Sequence, residues 1–307
     1  CIGTLRNELS IDITAIVCYN RIMDEVSVRI YGKINLSLKA GGTVNGYHIL
    51  DTVMASISVF DVVSVCPGKD NEFTVTFGET VDGANSNAMK AAVLMSETFG
   101  IGGADIKITT GIPSGAGLGG SSADAAGVIL ALARLNGINE TDERLARIAA
   151  KVGSDVPYML SGGFARLVGT GMGVNRFAAP AGQKVLLAGK GTVNTGECFR
   201  AFDEMKFTGD APDNDKLIAA LKNGDFNRAS LNFINQLQPY ASVLNPGISD
   251  AITVMKDCGL HACMTGSGSY SFGIGGDRAM RNAVKELKNR GFDVLFAGIV
   301  PSGIEFI

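Results

Sequence analysis

The glycine-rich segment 111–122 constrains the fold of this chain more than any other feature. It reads GIPSGAGLGGSS, and an apolar helical pattern follows it as far as residue 135. A glycine turn at a helix start combines free N–H groups with the positive end of the helix dipole, which favours phosphate. The segment therefore predicts a phosphate-binding turn. Its glycines and hydroxyls are those of Gly115, Gly117, Gly119, Gly120, Ser121 and Ser122.

Two other nucleotide-binding patterns fit this segment less well. Gly115, Gly117 and Gly120 match the dinucleotide fingerprint, but that fold needs a second buried strand after the helix. The polar stretch 138–142 stands there instead and opens another helix. A Walker A loop is excluded because no Lys-Ser/Thr pair follows the glycines. A tight turn without a ligand is the alternative that the segment alone leaves open.

Length, charge and cysteine content limit the possible partners. The 307 residues exceed one typical domain and predict two. The net charge is −3 and the Lys and Arg residues form no cluster, which argues against nucleic acid. No apolar run is long enough for a membrane span. Six scattered cysteines fit a reducing compartment, so a cytoplasmic protein is expected.

Strand and helix patterns alternate without a strict βα repeat, which predicts an α+β fold with two domains. The stretch 178–183 is the best linker, giving domains at 23–178 and 179–307. Strands are predicted at 26–30, 34–38, 56–65, 73–77, 105–109, 165–168, 184–188, 270–274 and 294–300. Helices are predicted at 85–99, 122–135, 142–152, 197–205, 214–223, 227–238, 247–257 and 278–290. Thr141 and Asp277 are the expected caps of the third and last helices.

Three polar residues outside the glycine segment are candidates for chemistry, although each has an ordinary structural interpretation. Lys33 lies among apolar neighbours, where burial without a partner is costly, but it could face outward from a strand. His48 follows a glycine and a tyrosine in what could be a surface turn. Asp155 follows a helix end, where Asp often forms turns. None of these residues is decisive alone.

Taken in order, these segments resemble the GHMP kinases, named for galactokinase, homoserine kinase, mevalonate kinase and phosphomevalonate kinase. The resemblance covers most of residues 26–300. The glycine segment from Pro113 onward is similar to the superfamily's central ATP loop, and 265–268 (TGSG) is similar to its third motif. The resemblance implies a ribosomal-S5-like N-terminal domain and a ferredoxin-like C-terminal domain. It also implies ATP and Mg²⁺, with no metal ligand assigned to the protein.

Within this superfamily, the chain most resembles the branch that phosphorylates a cytidine diphosphate-linked alcohol. The matching stretches are 32–36 (GKINL), 45–48 (NGYH), 153–157 (GSDVP) and 193–195 (VNT), with Phe199 following. The Gly-Tyr-His element discriminates best, because the other branches lack it at this place. Another GHMP kinase, acting on a mevalonate-type, homoserine or sugar substrate, and a catalytically silent ligand sensor are the alternatives.

The resemblance also implies a role for each matching residue. Lys33 and Asp155 are the expected catalytic pair. Tyr47 and Phe199 are expected to sandwich the cytosine ring, to which His48 hydrogen-bonds. The other substrate-binding residues implied are Asn35, Thr195, Gly266, Ser267 and Gly268. Residues 1–22 have no counterpart and are predicted to be an extension, with Met23 as a candidate start. The expected assembly is a monomer or a homodimer.

Overall fold

The computed structural model describes residues 25–44, 46–68, 71–81, 83–170, 173–205 and 209–307. The predicted extension at 1–22 and the candidate start Met23 lie outside these described residues, as do Asn45 and the side chain of Tyr47. In the described ranges, no helix has both the length and the apolar character needed to cross a bilayer.

Strands and helices are mixed along the described chain. The strands are β1 Val26–Val44, β2 Tyr47–Pro67, β3 Thr74–Phe77, β4 Thr80–Val81, β5 Ala104–Thr109, β6 Ala165–Gly169, β7 Gly173–Arg176, β8 Lys184–Gly189, β9 His261–Met264, β10 Ser271–Ile274, β11 Asp293–Val300 and β12 Ile304–Phe306. The helices are α1 Asn87–Phe99, α2 Gly120–Leu135, α3 Glu143–Val152, α4 Val156–Met159, α5 Thr195–Met205, α6 Asn214–Lys222, α7 Phe226–Ser230, α8 Gln238–Leu244, α9 Gly247–Asp257 and α10 Asp277–Asn289.

The N-terminal sheet is built on the long antiparallel pair of β1 and β2. Strand β2 also pairs with β5 and β6, and β5 continues to β3 and β4. Helix α2 packs against this sheet and is buried on nearly all sides, as its run of alanine and other apolar residues predicts. Gly127 permits the close approach, because a Cβ there would lie 2.5 Å from Val63 Cγ2. The middle of α2 thereby lies directly against β2.

The C-terminal half forms four antiparallel strands in the order β11-β8-β10-β9. Helices connect β8 to β9 and β10 to β11, which gives the β-α-β-β-α-β pattern of a ferredoxin-like domain. Helices α9 and α10 cover the sheet face that carries Leu186 and Ala188. The predicted α+β fold is confirmed.

At the junction of the two halves, strands of one half pair with strands of the other. Strand β11 pairs with β2 through Ile299↔Ile57, so the strands form one continuous sheet. Strand β12 returns to the N-terminal half and pairs with β1, with Val28 opposite Phe306. Residues 177–183, between β7 and β8, contain neither helix nor strand, but a domain boundary at 178/179 stays a prediction.

The two predicted strands at 26–30 and 34–38 are one continuous strand with irregularities. The β1–β2 register shifts between Tyr31 and Lys33, between Asn35 and Ser37, and again near the hairpin tip. A bulge reverses the side-chain alternation locally, so the apolar pattern looks like two strands out of phase. The bulged part of β1 carries Lys33 and Asn35, two of the predicted site residues.

The helix predicted at 227–238 is wrong. Helix α7 ends at Ser230 and α8 begins at Gln238. Between them, the main chain runs beside Leu38: Leu38 N–H donates to Ile234 O at 2.8 Å, and Gln236 N–H donates to Leu38 O at 2.9 Å. These tertiary hydrogen bonds replace the intrahelical ones that local propensity favours.

The two predicted helix caps are also wrong, each by one residue. The carboxylate of Asp142, not the hydroxyl of Thr141, caps α3 by accepting from Arg144 N–H at 2.9 Å. Asp277 is the first residue of α10, whose N-cap is Gly276. Its carboxylate accepts from Lys184 Nζ at 2.9 Å instead.

Candidate active site

A cavity of about 290 Å³ lies where the glycine segment, β1, the 153–157 turn and α5 meet. Most of the predicted site residues line it. These are Lys33, Asn35, Gly115, Gly117, Gly119, Gly120, Ser121, Ser122, Asp155, Thr195, Phe199, Gly266 and Ser267. Pro113, His48 and Gly268 lie outside the lining. The apolar part of the wall and one further hydroxyl were not predicted: Leu38, Leu50, Met54, Leu237 and Ser154.

The glycine turn uses the conformational freedom that its sequence suggests. Gly115, Gly117 and Gly119 have φ angles of 66°, 75° and 83°, in the left-handed region that favours glycine. Helix α2 begins immediately afterwards, at Gly120, and Gly119 caps it without a side-chain hydrogen bond. The first N–H groups of a helix have no intrahelical acceptor, so they are available to an anion in the cavity.

A second glycine turn, 265–268, packs directly against the first. Ser269 N–H donates to Gly115 O and Tyr270 N–H to Ala116 O, both at 3.3 Å. A Cβ at Gly117 would lie 2.5 Å from Thr265 O, so only glycine fits without movement of the backbone. The two turns therefore hold each other in place at one end of the cavity.

Lys33 is buried, so an outward-facing strand lysine is excluded. Its side chain is 4% exposed, and its Nζ donates to Asn35 Oδ1 at 2.7 Å. The same Nζ lies 3.5 Å from Asp155 Oδ2. At the bulge in β1, Lys33 N–H donates to Leu118 O at 2.9 Å, which ties the strand to the glycine turn. The ammonium group is thus held at the wall of the cavity.

Asp155 immediately precedes α4, in which Pro157 is one of the first residues. Its carboxylate makes no capping hydrogen bond to this short helix. The side chain is 28% exposed, and it faces Lys33 across the cavity. The carboxylate is therefore available to a ligand, rather than committed to the turn in which it lies.

Asn35 links Lys33 to both halves of the molecule. Its backbone N–H donates to Thr265 Oγ1 at 2.9 Å, and its Nδ2 donates to Thr52 Oγ1 at 2.8 Å. Thr52 in turn donates to Ser37 O at 2.5 Å. A buried polar network in which each group has a partner holds its members in one arrangement. No sequence pattern indicates Thr52, because it looks like an ordinary strand residue.

Asn235 is a second supporting residue that sequence reasoning missed. It is 3% exposed, and its Nδ2 donates to Met264 O at 3.0 Å and to Gly266 O at 2.8 Å. Its Oδ1 accepts from Leu237 N–H at 3.0 Å. The side chain therefore holds the second glycine turn in place through its carbonyl groups.

The opposite end of the cavity is formed by side chains of the β1–β2 hairpin and of α5. The His48 ring stacks on Phe199, with centroids 4.7 Å apart and planes 18° apart. Its Nδ1 lies 3.2 Å from Gly41 O and its Nε2 lies 3.4 Å from Asp203 Oδ2. His48 is thus engaged with protein groups. The predicted sandwich with Tyr47, whose side chain lies outside the described residues, stays a prediction.

Several known proteins resemble this chain in sequence and in fold. The model of the GHMP kinases N terminal domain matches residues 86–163, and that of the GHMP kinases C terminal matches residues 217–293. A 4-diphosphocytidyl-2-C-methyl-D-erythritol kinase of Cutibacterium acnes is 36% identical over 262 residues, which cover 79% of this chain and 83% of that protein. This chain belongs to the GHMP kinase family.

Another relative and two solved structures match most of this chain. A 4-diphosphocytidyl-2-C-methyl-D-erythritol kinase of Caldicellulosiruptor bescii is 32% identical, covering 85% of this chain and 92% of that protein. A crystal structure of 4-(cytidine 5'-diphospho)-2C-methyl-D-erythritol kinase superposes with a TM-score of 0.72 at 31% identity, over 90% of this chain and 99% of the other. Homoserine kinase from Cytophaga hutchinsonii has a TM-score of 0.73 at 20% identity, over 94% and 99%, and shows the fold alone.

Membership of the family gives the protein its general activity. It is a small-molecule kinase with ATP as co-substrate. The predicted kinase and fold are therefore confirmed, whereas the roles of individual residues stay predictions. What the structure adds is their placement: Lys33, Asp155 and the glycine turn converge on one cavity.

Proposed function

We propose that this GHMP kinase transfers the γ-phosphoryl group of ATP to a hydroxyl of 4-diphosphocytidyl-2-C-methyl-D-erythritol, in non-mevalonate isoprenoid precursor biosynthesis. The observation that carries the proposal is the approach of Lys33 Nζ to within 3.5 Å of Asp155 Oδ2 beside the glycine turn. The acceptor is proposed from the relatives that bear this kinase's name at 31–36% identity.

The catalytic roles follow from this arrangement. The glycine turn and the start of α2 bind the phosphates of ATP. Asp155 accepts the proton of the acceptor hydroxyl, for which its carboxylate must come within about 2.6–3.2 Å of that oxygen. The hydroxyl oxygen bonds to the γ-phosphorus as the bond to the bridging oxygen of ADP breaks. Lys33 stabilises the negative charge of the transferring group and orients Asp155.

Mg²⁺ is proposed to arrive bound to ATP. Among the described residues, no group of three or more His, Cys, Asp or Glu side chains could hold a metal ion. Asp155 is the one carboxylate in the described lining of the cavity. A site poor in carboxylates suits Mg²⁺ that keeps its phosphate and water ligands. The ion would neutralise charge on the phosphates during transfer.

The acceptor's cytosine base is proposed to bind at the end of the cavity formed by Phe199. The aromatic face of Phe199 is covered by His48 in this structure, so the base would take the place of the His48 ring or bind against Phe199 from the cavity side. Tyr47 and His48 would then complete the recognition of the base. Asn35, Thr195 and the 265–268 turn would contact the rest of the acceptor.

An ADP-release assay on the purified protein tests the acceptor directly. The candidate acceptors are 4-diphosphocytidyl-2-C-methyl-D-erythritol, mevalonate, homoserine and galactose, each with MgATP. We expect release of ADP at least about a hundredfold faster with the cytidyl acceptor, because the other three have no base to stack. Equal or faster release with another acceptor would overturn the proposed substrate, and release with none would overturn the proposed function.

A further inference from the structure

Two buried aspartates lie beneath the glycine turn and outside the cavity. Asp61, on β2, is 1% exposed, and Asp124, in the second turn of α2, is 6% exposed. Asp61 Oδ1 accepts the N–H groups of Gly111 at 2.6 Å and of Ile112 at 2.8 Å. Asp61 Oδ2 would lie 3.7 Å from a Cβ at Gly120. Asp61 therefore supports the beginning of the glycine segment and lies near the first residue of α2.

Asp61 Oδ2 lies beside Gly120, one helical turn before Asp124, so the two buried carboxyl groups face each other. A hydrogen bond between them requires that one of them is protonated, because an ionised carboxylate only accepts. Burial raises the pKa of Asp61 too, but the two N–H groups that it accepts act in the opposite direction and favour its charged form. Asp124 Oδ1 has no hydrogen-bond partner among the described residues. The proton therefore belongs to Asp124.

The electrostatic surroundings agree with a neutral Asp124. Burial raises the pKa of Asp124 to about 8, and the charge of Asp61 and the hydrogen bond to it act in the same direction. The ionisable side chains on the elements packed around α2 are engaged elsewhere. Lys33 binds Asn35 and Asp155, Lys90 binds Val152 O, Arg29 binds Glu305, Arg144 binds Asp142, Arg134 binds Glu140, and Tyr158 binds Gly163 O. On β1 and β2, Tyr31 binds Glu305, Asp51 binds Arg166 and His48 lies beside Asp203. The exposed side chains are those of Lys39, Glu97, Glu143, Arg147 and Lys151.

We propose that Asp124 is a positioning residue that donates its proton to Asp61 and thereby fixes the glycine turn for the phosphates of ATP. This inference rests on the proposed binding of ATP at that turn. If Asp124 loses its proton, the hydrogen bond between the carboxyl groups is lost. A second negative charge then lies beneath the site for an anion, so affinity for ATP falls.

Nucleotide binding as a function of pH tests this inference. The dissociation constant of MgADP is measured by titration calorimetry between pH 7 and pH 9.5 for the wild type, Asp124→Asn and the exposed-residue control Glu97→Gln. We expect the constant to rise about tenfold above pH 8 in the wild type and the control, from one added charge near the phosphates. Asp124→Asn, whose amide stays neutral, should show no such rise. A rise that persists in Asp124→Asn, or that is missing in the wild type, overturns the inference.

Two further measurements keep the test decisive if Asp124→Asn folds poorly. A carbonyl stretch of a protonated carboxyl group should be present in the infrared spectrum of the wild type at pH 7 and disappear as the pH passes about 8. In steady-state kinetics on the wild type, KM for ATP should rise over the same range while kcat at saturating ATP stays constant. Absence of the band at pH 7, or a fall in kcat alone, contradicts a positioning role.

The outcomes separate this inference from the proposed function. If the wild type fails to bind MgADP at every pH but keeps the infrared band, the acid pair stands and ATP binding at this turn is wrong. If MgADP binds with the same constant throughout and the band is missing at pH 7, ATP binding stands and the role of Asp124 is wrong.

Discussion

The two ends of the cavity differ in construction: main-chain groups form one end and side chains form the other. At the phosphate end, two glycine turns contact each other through main-chain hydrogen bonds, with no space for a Cβ at Gly117. At the acceptor end, the wall is made by side chains such as Leu50 and Phe199, from a hairpin and a separate helix. The first end is fixed by the backbone, and the second can rearrange by side-chain rotation. The phosphate end is therefore expected to tolerate substitution less well than the acceptor end.

The largest expected effect comes from Asp155, which lies between the two ends. Asp155→Ala should lower turnover by about 10²–10⁴-fold, because it removes the proposed general base. The affinity for MgADP should stay near the wild-type value, since the glycine turn is untouched. Turnover is measured by ADP release and affinity by calorimetry, with the exposed Asp257→Ala as the control. Near-normal turnover in Asp155→Ala would remove this residue from the mechanism.

The next effect tests the rigidity of the phosphate end. Gly117→Ala should lower affinity for MgADP about tenfold and the free energy of unfolding by about 2–4 kcal/mol, from strain at positive φ and the contact with Thr265 O. Gly100→Ala is the matched control, because its φ is 65° with no atom within 4 Å of the added Cβ. It should cost about 1–2 kcal/mol and leave binding unchanged. Calorimetry and chemical denaturation measure both, and equal losses in the two variants would mean that the close approach is unimportant.

The last and smallest expected effect, at the acceptor end, is confined to KM for one substrate. Phe199→Ala should raise KM for the cytidyl acceptor about tenfold, because one aromatic stacking partner of a base contributes about 1–3 kcal/mol. KM for ATP should not change, since the Phe199 ring stacks on His48 and not on a glycine turn. Steady-state kinetics with Phe296→Ala, an exposed residue on β11, provides the comparison. An equal loss of affinity for both substrates would show that the two ends are not independent.

The sequence predicts the phosphate end well because its signals are local. Glycines at fixed spacing followed by a helix specify a turn whatever surrounds them. The cavity is lined as expected by Gly115, Gly117, Gly119, Gly120, Ser121 and Ser122. The same reasoning misses Asn235, whose acceptors at Met264 and Gly266 are about thirty residues away along the chain. Such pairings depend on tertiary packing, which single-sequence patterns do not contain.

The fold shows the same division between local and distant determinants. The helix that follows the glycine segment and the closing strand, helix and strand are predicted to within two residues. The bulges in β1 and the irregular segment between α7 and α8 are set by contacts with other elements, such as the bonds between Leu38 and Ile234. The stacking of His48 on Phe199 likewise depends on how the hairpin meets α5.

The pairing of β12 with β1 has a consequence for biosynthesis. Strand β1 leaves the ribosome early but gains its partner on that edge only when residues 304–306 have been made. Until then, the edge carries unpaired main-chain groups that invite association with other chains. The N-terminal half therefore cannot complete its sheet as an independent unit during translation, and a product truncated before β12 should aggregate more readily than the full-length chain.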